Sequence, residues 1–369
     1  MKISILAQHS FPLPYPNLHT GDQVIIDLMR VLEQLGHTVD FYAPEGSYQP
    51  STGKLFPIKC SYGQTLPWAH ECEEDCYSKY GEQLKQSDII HDFTVEKYIT
   101  EKLYQENYKK VIQTIMVGAW QKDYSPKNLV VWSQSHQNRV IRGYSDYIGT
   151  LTPDIAGHVG KPVKEKVRVV NGGINTDFYS PGGTKDDYFL WMGRWHEVRG
   201  YRLTINLAKQ TGIKLIMAGE HPDNELFEYQ KKCALEAIEL AKGCNNIKFE
   251  WLPKDPNHHV AKRELYRRAL GFILTTQFQE PFGLSQVESM ACGTPVISTN
   301  YGSMPEIIID GKTGFICKND IMNFAIAVKL VDRLDNKICR EIAVEKYDKK
   351  VMGQNYLREY NDIISGGSK

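Results

Sequence analysis

The chain has 369 residues, more than a single domain usually holds, so two domains with separate cores are expected. Hydrophobic residues make up 41% of the sequence and charged residues 24%, which is the balance of an ordinary globular protein. Because 44 basic residues balance 44 acidic ones, the net charge offers no attraction to nucleic acid or to an anionic membrane, and a polyanionic ligand would need a local site.

The apolar N-terminus, residues 1–7, is predicted to be the first strand, because it is too short for the apolar region of a signal peptide. No stretch of the sequence is long and apolar enough to span a bilayer. The eight cysteines are scattered, and Cys233, Cys292, Cys317 and Cys339 fall in helix or strand patterns typical of reduced, packed thiols. We therefore expect a cytoplasmic protein with at most peripheral membrane contact.

Short apolar runs alternate with amphipathic stretches through the first half of the chain. The predicted strands are 2–7, 38–43, 89–92, 110–116, 129–132, 148–152 and 167–170, and the predicted helices are 23–35, 95–108 and 135–144. This alternation indicates a parallel sheet covered on both faces by helices.

Cys72 and Cys76 lie one helical turn apart, with His70 nearby and acidic residues between them. A second Cys or His pair at a zinc-type spacing does not accompany them in the sequence. We therefore interpret this segment as a solvated acidic loop or helix face, and we expect no bound metal.

The pattern starts again after 171–175 and 180–183, two segments rich in residues that break regular structure. Beyond them the predicted strands are 188–192, 214–218, 247–250, 271–275 and 295–298, and the predicted helices are 203–210, 226–242 and 262–269. We place the boundary between two Rossmann-like domains, 1–170 and 171–345, at this point. Ligands of such sheets bind beyond the carboxyl ends of the strands, so two facing domains predict one cleft between them.

The densest functional signal is the segment Glu-Pro-Phe-Gly-Leu-Ser-Gln-Val-Glu from Glu280 to Glu288. Gly283, Leu284 and Ser285 are predicted to begin a helix, where unpaired N–H groups and the helix dipole attract an anion. A diphosphate suits that position, and the two carboxylates suit the hydroxyls of a sugar and a ribose. The alternative is a pair of surface carboxylates near a helix start, where acidic residues are common.

Arg194 and Arg199 lie in the loop after the strand predicted at 188–192. A guanidinium keeps its charge and offers paired donors, which suits a phosphate-rich group. Negative charge grows on a departing diphosphate, so fixed cations stabilise that transition state. An exposed loop with salt bridges is the alternative interpretation.

Three further candidates follow strands of the first domain. Gly21 begins a helix after the first strand, a weak signal because tight turns need glycine anyway. His91 ends the strand at 89–92, and a histidine there is either a catalyst or a satisfied structural residue. His136 either lines the acceptor side or belongs to a helix start that Ser133 caps.

Together these residues resemble the retaining glycosyltransferases of family 4. The motifs that carry the resemblance are Gly-Arg followed by Arg-Gly at 193–200, the run at 280–297, Gly-Ser-Met-Pro-Glu-Ile at 302–307 and Asp-Gly-Lys-Thr-Gly-Phe at 310–315. That family has the GT-B fold of two facing Rossmann-like domains, binds its donor nucleotide in the second domain and its acceptor in the first, and uses no metal. The resemblance spans nearly the whole chain.

The resemblance also implies a role for each candidate residue. The implied diphosphate contacts are Arg194, Arg199, Gly283, Leu284, Ser285 and Gly21. Glu288 would bind the ribose, Glu280 would face the donor sugar, and main chain near Leu252 and Pro253 would meet the base. A final helical stretch, about 344–364, would cross back so that residues 346–369 complete the first domain.

Some positions depart from the family pattern. Arg199 stands where the family usually has lysine. Met116, in Thr-Ile-Met at 114–116, stands where a histidine usually reaches the donor sugar. A thioether accepts only weak hydrogen bonds, so another group must hold the sugar, or the activity is unusual. We place Met116, His136 and Phe282 on the sugar and acceptor side, and we name Glu280 and His91 as candidate catalytic residues.

The sequence therefore predicts a metal-independent, retaining glycosyltransferase that uses a nucleoside-diphosphate sugar, with uridine as the expected base, and an acceptor hydroxyl whose identity is open. A nucleotide-sugar epimerase of the same fold would share the diphosphate site but needs acid and base groups on the two sides of the sugar ring. A non-catalytic nucleotide-sugar binder is the third hypothesis, suggested by Met116.

Overall fold

The computed structural model describes residues 1–8, 11–14, 20–58, 67–116, 120, 122–124, 126–143, 160–223, 228–255 and 257–366. Within these ranges the strands form two sheets, of seven and six strands, and their paired strands run parallel. Helices flank both sheets, which confirms the predicted fold class of two Rossmann-like domains. The strand predicted at 148–152 lies outside the described residues.

The seven-stranded sheet belongs to the first domain and has the strand order β3-β2-β1-β4-β5-β6-β7. Its strands are β1 (Lys2–Leu6), β2 (Thr38–Pro44), β3 (Leu55–Ile58), β4 (Ile89–Asp92), β5 (Val111–Ile115), β6 (Leu129–Val131) and β7 (Val167–Val169). Its helices are α1 (Thr20–Gln34), α2 (Pro67–Leu84), α3 (Tyr98–Gln105) and α4 (Gln134–Arg142). The strand order changes direction between β1 and β4, where sheets of this kind bind their ligands.

The six-stranded sheet belongs to the second domain and has the strand order β10-β9-β8-β11-β12-β13. Its strands are β8 (Phe189–Met192), β9 (Leu215–Gly219), β10 (Ile247–Trp251), β11 (Gly271–Leu274), β12 (Val296–Thr299) and β13 (Gly314–Cys317). Its helices are α5 (Tyr201–Thr211), α6 (Glu228–Ala241), α7 (His258–Arg268), α8 (Leu284–Ala291), α9 (Met304–Ile307), α10 (Ile321–Leu330) and α11 (Asn336–Tyr347). Strands β8 and β11, on the two sides of the change in strand order, are buried along their whole length, as expected between two helical layers.

The segment around Cys72 and Cys76 lies in helix α2, which has Glu71 and Glu74 on an exposed face, as one of the two alternatives expected, but the segment is buried at three other positions. Both cysteines are buried, and so is Glu73 between them. The Glu73 carboxylate accepts hydrogen bonds from the backbone N–H groups of Glu96, at 2.8 Å, and Tyr98, at 2.7 Å. Burial raises the pKa of Glu73 to about 8. This carboxyl therefore supports the start of α3 from inside the protein.

The last helical stretch, predicted as one helix, is two. Helix α11 ends at Tyr347, and α12 (Lys349–Ile364) follows after Asp348. The Asp348 carboxylate accepts a hydrogen bond from the Lys350 backbone N–H at 2.8 Å and another from the Thr176 hydroxyl. Such capping favours a new helix over the continuation of α11. Helix α12 then packs against α1 of the first domain.

Within the described residues, no helix combines the length and apolar character needed to cross a membrane.

Candidate active site

Arg199 ends a short 3-10 turn that follows β8. The next residue, Gly200, has a φ of 73°, and a Cβ there would collide with the Thr275 carbonyl oxygen. The Thr275 hydroxyl donates a hydrogen bond to the Gly200 carbonyl at 2.6 Å. Glycine is needed for both the positive φ and the close approach, and the contact with the end of β11 fixes where Arg199 leaves the backbone.

The guanidinium of Arg199 binds the carboxylate of Glu280, with 2.6 Å between Nη1 and Oε2. The two side chains keep 18% and 11% of their exposure, so the pair is largely shielded yet reachable from solvent. The carbon of the guanidinium also lies 4.7 Å from the centre of the Phe278 ring. A shielded pair interacts more strongly than one on an open surface, so each charge holds the other in place.

Helix α8 begins just after this ion pair, with Gly283 as its N-cap. Gly283 has a φ of 94°, and within the described ranges no side chain caps the helix. Leu284 and Ser285 in the first turn are half-buried. Their side of the helix therefore presents open N–H groups and the positive end of the helix dipole close to Glu280, an arrangement suited to an anion.

Arg194 lies just after β8 and is exposed. Burial raises the pKa of Glu220, and the positive charges of Lys254 and Arg194 oppose that rise, which places Arg194 near this carboxylate. A Cβ on Gly193 would lie 4.0 Å from Cδ of Arg199. The two arginines thus leave neighbouring parts of one loop, with glycine leaving space between them.

The loop after β12 supports the backbone of the Glu280 segment. The Ser303 backbone N–H donates to the Glu280 carbonyl at 2.9 Å, and the Ser303 hydroxyl donates to the Phe282 carbonyl at 2.6 Å. Gly302 has a φ of 62°, and a Cβ there would collide with the Glu280 backbone. The Gly-Ser pair of the sequence motif therefore holds the segment that carries Glu280.

Glu288 lies on α8 but is only 1% exposed. Its carboxylate binds the Lys262 ammonium of α7 at 2.9 Å and accepts a hydrogen bond from the Tyr266 hydroxyl at 3.4 Å. The direct contact with ribose that the resemblance implies stays a prediction; in this structure the Glu288 carboxylate is closed off from solvent and bound to Lys262 and Tyr266.

Leu252 and Pro253 follow the carboxyl end of β10. They line a groove of about 900 Å³ between this edge strand and α7, together with Trp251. The Leu252 backbone N–H donates to the Gly219 carbonyl at 3.0 Å. A base contact through the main chain here stays a prediction.

Met116 and Gly21 come together across the ends of β5 and α1. A Cβ on Gly21 would lie 3.4 Å from the Met116 sulfur, so the glycine makes room for the thioether. Both residues are partly exposed. The position where the family has a histidine is therefore occupied by an accessible, weakly polar group.

His91 is fully buried, and its expected catalytic role stays a prediction. Nδ1 lies 2.7 Å from the Tyr360 hydroxyl of α12, and Nε2 lies 2.7 Å from the Thr114 hydroxyl. Burial and the charge of Lys97 hold the pKa of His91 well below its usual range. A neutral imidazole with both nitrogens bonded joins α12 to the sheet.

The placement of His136 and Phe282 on the sugar and acceptor side stays a prediction, and both side chains are buried in this structure. His136 is fully buried in α4, and Phe282 is 2% exposed. The Phe282 ring packs edge-on against Trp132 at 6.1 Å between centroids and against Tyr347 at 5.6 Å. A Cβ on Gly172 would lie 3.1 Å from the Phe282 ring. These rings join the two domains.

Sequence reasoning gave no role to Asp22 or Lys262. Asp22, beside Gly21 in the first turn of α1, is 1% exposed and accepts a hydrogen bond from the Gln8 side chain at 2.6 Å. Its second oxygen, Oδ2, is buried and has no hydrogen-bond partner among the described residues. Burial raises its pKa to about 7. The only sequence signal for Asp22 is its place next to Gly21, and none marks Lys262.

The described part of the chain contains no group of three or more His, Cys, Asp and Glu side chains that could hold a metal ion.

Known proteins resemble this chain in sequence and in fold. Residues 176–347, which include Arg194, Arg199, Glu280 and Glu288, match the family model described as glycosyl transferases group 1. A probable sucrose-phosphate synthase of Thermosipho melanesiensis is 25% identical over 280 residues, an alignment that covers 73% of this chain and 61% of that protein.

Two solved structures share the fold over nearly the whole chain. The sucrose-phosphate synthase of Thermosynechococcus elongatus aligns with a TM-score of 0.75 and 17% identity, and covers 99% of each chain. HepE of Anabaena in complex with UDP-glucose aligns with a TM-score of 0.65 and 16% identity, and covers 98% of this chain and 100% of that one. The GT-B fold and the prediction of a glycosyltransferase are confirmed.

Proposed function

We propose that this glycosyltransferase moves a sugar from a nucleoside-diphosphate sugar to an acceptor hydroxyl, with retention of configuration and without a metal ion. The second domain, 171–345, holds the donor, and the first domain, 1–170 completed by 346–369, holds the acceptor. The observation that carries the proposal is the Arg199–Glu280 pair, 2.6 Å long, at the uncapped start of α8.

The diphosphate lies between the first-turn amides of α8, at Leu284 and Ser285, and the guanidinium groups of Arg199 and Arg194. As the bond between the sugar and the diphosphate breaks, negative charge grows on the departing oxygen. Dipoles and cations that are already fixed in place stabilise this charge without reorganising, so they lower the barrier. Glu280, oriented by Arg199, supports the positive charge at the anomeric carbon.

Retention follows if the acceptor attacks from the face that the diphosphate leaves. The acceptor oxygen forms the new bond to the anomeric carbon, the old sugar–oxygen bond breaks, and the departing phosphate oxygen takes the acceptor's proton. This course needs no protein base, which agrees with the burial of the His91 ring.

UDP-glucose is the donor we expect first, because HepE, with the same fold, was solved in complex with it. Met116 bears on how the sugar is held. A thioether cannot bind a sugar hydroxyl strongly, so the polar contacts of the sugar come mainly from the second domain.

The test combines binding with turnover. We expect UDP to raise the melting temperature more than GDP or ADP, because binding to the folded state stabilises it by about 2.7 kcal/mol at 100 times Kd. A panel of nucleotide sugars and acceptors should then release UDP from one donor. No stabilisation by any of the three diphosphates, together with no turnover with any acceptor, water included, would contradict the proposal.

Met116 favours one second candidate, a non-catalytic nucleotide-sugar binder. Tight calorimetric binding of a donor without transfer or hydrolysis would support that candidate. Deuterium incorporation from heavy water without transfer would instead indicate an epimerase.

A further inference from the structure

We propose that Glu306 is a positioning residue: it fixes the position of the first domain relative to the second in the arrangement that sugar transfer needs. This inference rests on the proposed function. Glu306 lies on α9 of the second domain. Its carboxylate accepts hydrogen bonds from two backbone N–H groups of the first domain, Gln134 to Oε2 at 2.8 Å and Ser135 to Oε1 at 2.7 Å. Each oxygen therefore holds one amide across the domain boundary.

The amides that Glu306 holds are the first two of α4. The third, at His136, donates to the Ser133 hydroxyl oxygen at 3.0 Å. The Ser133 hydroxyl in turn donates to the Pro281 carbonyl at 2.5 Å. A helix start carries partial positive charge, so a carboxylate is the side chain that binds it best. Glu306 and Ser133 together attach the start of α4 to the second domain.

Glu306 is in turn connected to Glu280 by short backbone contacts. The Glu306 backbone N–H donates to the Ser303 carbonyl at 2.9 Å, and the Ser303 N–H donates to the Glu280 carbonyl at 2.9 Å. On its other side, the Glu306 carbonyl accepts a hydrogen bond from the Tyr347 hydroxyl at 3.2 Å. The close packing of Gly302 on Glu280 leaves no room for these loops to slide past each other. The position of α4 is thereby transmitted to the carboxylate that faces the sugar.

This arrangement separates two properties of the enzyme. The donor nucleotide is bound within the second domain, so its affinity does not depend on the contact with α4. Transfer needs the acceptor, which the first domain presents, at attack distance from the sugar, so its rate does depend on that contact. Loss of the Glu306 carboxylate should lower kcat and leave donor affinity unchanged.

The test compares Glu306→Gln with Glu345→Gln. Glutamine keeps the shape of Glu306 but offers one oxygen and turns an N–H₂ group toward the second amide. Glu306 and Glu345 are both exposed, so both variants should fold, and Glu345 on α11 serves as the control. Four quantities are measured: hydrogen exchange at the amides of Gln134 and Ser135, the radius of gyration in solution, the affinity for UDP, and kcat with the donor and acceptor that turn over.

In Glu306→Gln we expect exchange to rise by about tenfold at whichever of Gln134 and Ser135 loses its acceptor, and kcat to fall by about tenfold, because one hydrogen bond and the negative charge are lost. We expect the radius of gyration to increase, and UDP affinity to stay within about twofold of that of the control. Faster exchange with unchanged kcat would reduce Glu306 to a helix cap and overturn the proposal, as would values equal to those of Glu345→Gln.

The proposed function can fail separately. If the unmodified chain turns over no nucleotide sugar, the exchange rates and the radius of gyration of Glu306→Gln still test the positioning role of Glu306. An unchanged radius in Glu306→Gln would then overturn the positioning role, and a larger radius with faster exchange would support it.

Discussion

Helices α4 and α8 begin on the two sides of the segment 280–283, yet the N–H groups of their first turns have different partners. The start of α4 is filled by protein groups: Ser133 takes one amide, and Glu306 of the other domain takes two. The start of α8 has Gly283 as its N-cap, with no capping side chain in the ranges the structure describes.

On the proposed function, one physical property serves two purposes. Every helix start has unpaired N–H groups and a partial positive charge. Where the protein supplies the carboxylate, as at α4, the helix start becomes a joint between domains. Where the N-cap is a glycine with an arginine nearby, as at α8, the same groups remain available to a diphosphate.

The largest expected effect comes from removing the cation beside α8. Arg199→Ala should lower turnover of the donor by about 100-fold or more, because it removes a fixed charge from the departing diphosphate and leaves the Glu280 carboxylate unpaired. Steady-state release of the nucleoside diphosphate measures this. The control is Arg202→Ala, since Arg202 is an exposed arginine of α5 that pairs with Glu236. Equal losses in both variants would mean that Arg199 has no special role.

The second prediction concerns a side chain added at Gly283, the N-cap of α8. Gly283→Ala should destabilise the protein by about 2 kcal/mol, because φ is 94° and the new Cβ would lie 2.6 Å from the Met304 methyl group. Donor affinity should fall as well. Gly212→Ala is the matched control, since Gly212 has a φ of 72° and no described atom within 4 Å of a new Cβ. Urea unfolding should show a smaller loss for Gly212→Ala, and equal losses would refute the steric argument.

A third helix start, that of α1, contains the buried carboxyl of Asp22, which is uncharged at low pH. The pKa of Asp22 is about 7 in the folded protein against an ordinary 3.8. The stability that its uncharged form contributes is therefore fully present below about pH 3.8 and is lost as pH rises through 7. Asp22→Asn should therefore gain stability relative to the unmodified protein as pH rises, by on the order of 2 kcal/mol between pH 5 and pH 8.

The measurement for Asp22→Asn is the melting temperature of both proteins across that pH range. A difference in melting temperature that stays constant with pH would show that Asp22 does not titrate there.

The smallest effect should come from the cap of α4. Ser133→Ala removes the acceptor for the His136 N–H and the donor to the Pro281 carbonyl, and should cost about 1 kcal/mol in unfolding free energy. Asp320→Ala removes the N-cap of α10, whose side chain accepts from the Asn323 N–H of the same helix, and should cost a similar amount. Only Ser133→Ala should also raise the exchange rate of the α4 amides. The same pattern in both variants would argue against a joint at α4.

Much of the fold could be predicted because buried parallel strands read as short apolar runs, as in Phe-Leu-Trp-Met of β8. Strand β3 was missed because it contains Pro57 and is only four residues long. The segment of α2 was predicted as either an acidic loop or a helix face, and the burial of Glu73 was missed because its partners, the Glu96 and Tyr98 amides, lie far along the chain.

The candidate site divides in the same way. Arg199, Glu280 and Gly283 could be named because local motifs carry them. Three sets of contacts could not be predicted: Arg199 with Glu280, Glu288 with Lys262, and His91 with Thr114 and Tyr360. Each joins residues far apart in the chain, and no spacing in the sequence encodes such contacts.

The most direct test of the diphosphate site follows the backbone amides themselves. With ¹⁵N-labelled leucine, serine and glutamine, a titration with UDP should shift the amide resonances of Leu284 and Ser285 and leave those of Gln134 and Ser135 in place. Shifts at Gln134 and Ser135 with none at Leu284 and Ser285 would contradict the assignment of the open helix start to the diphosphate.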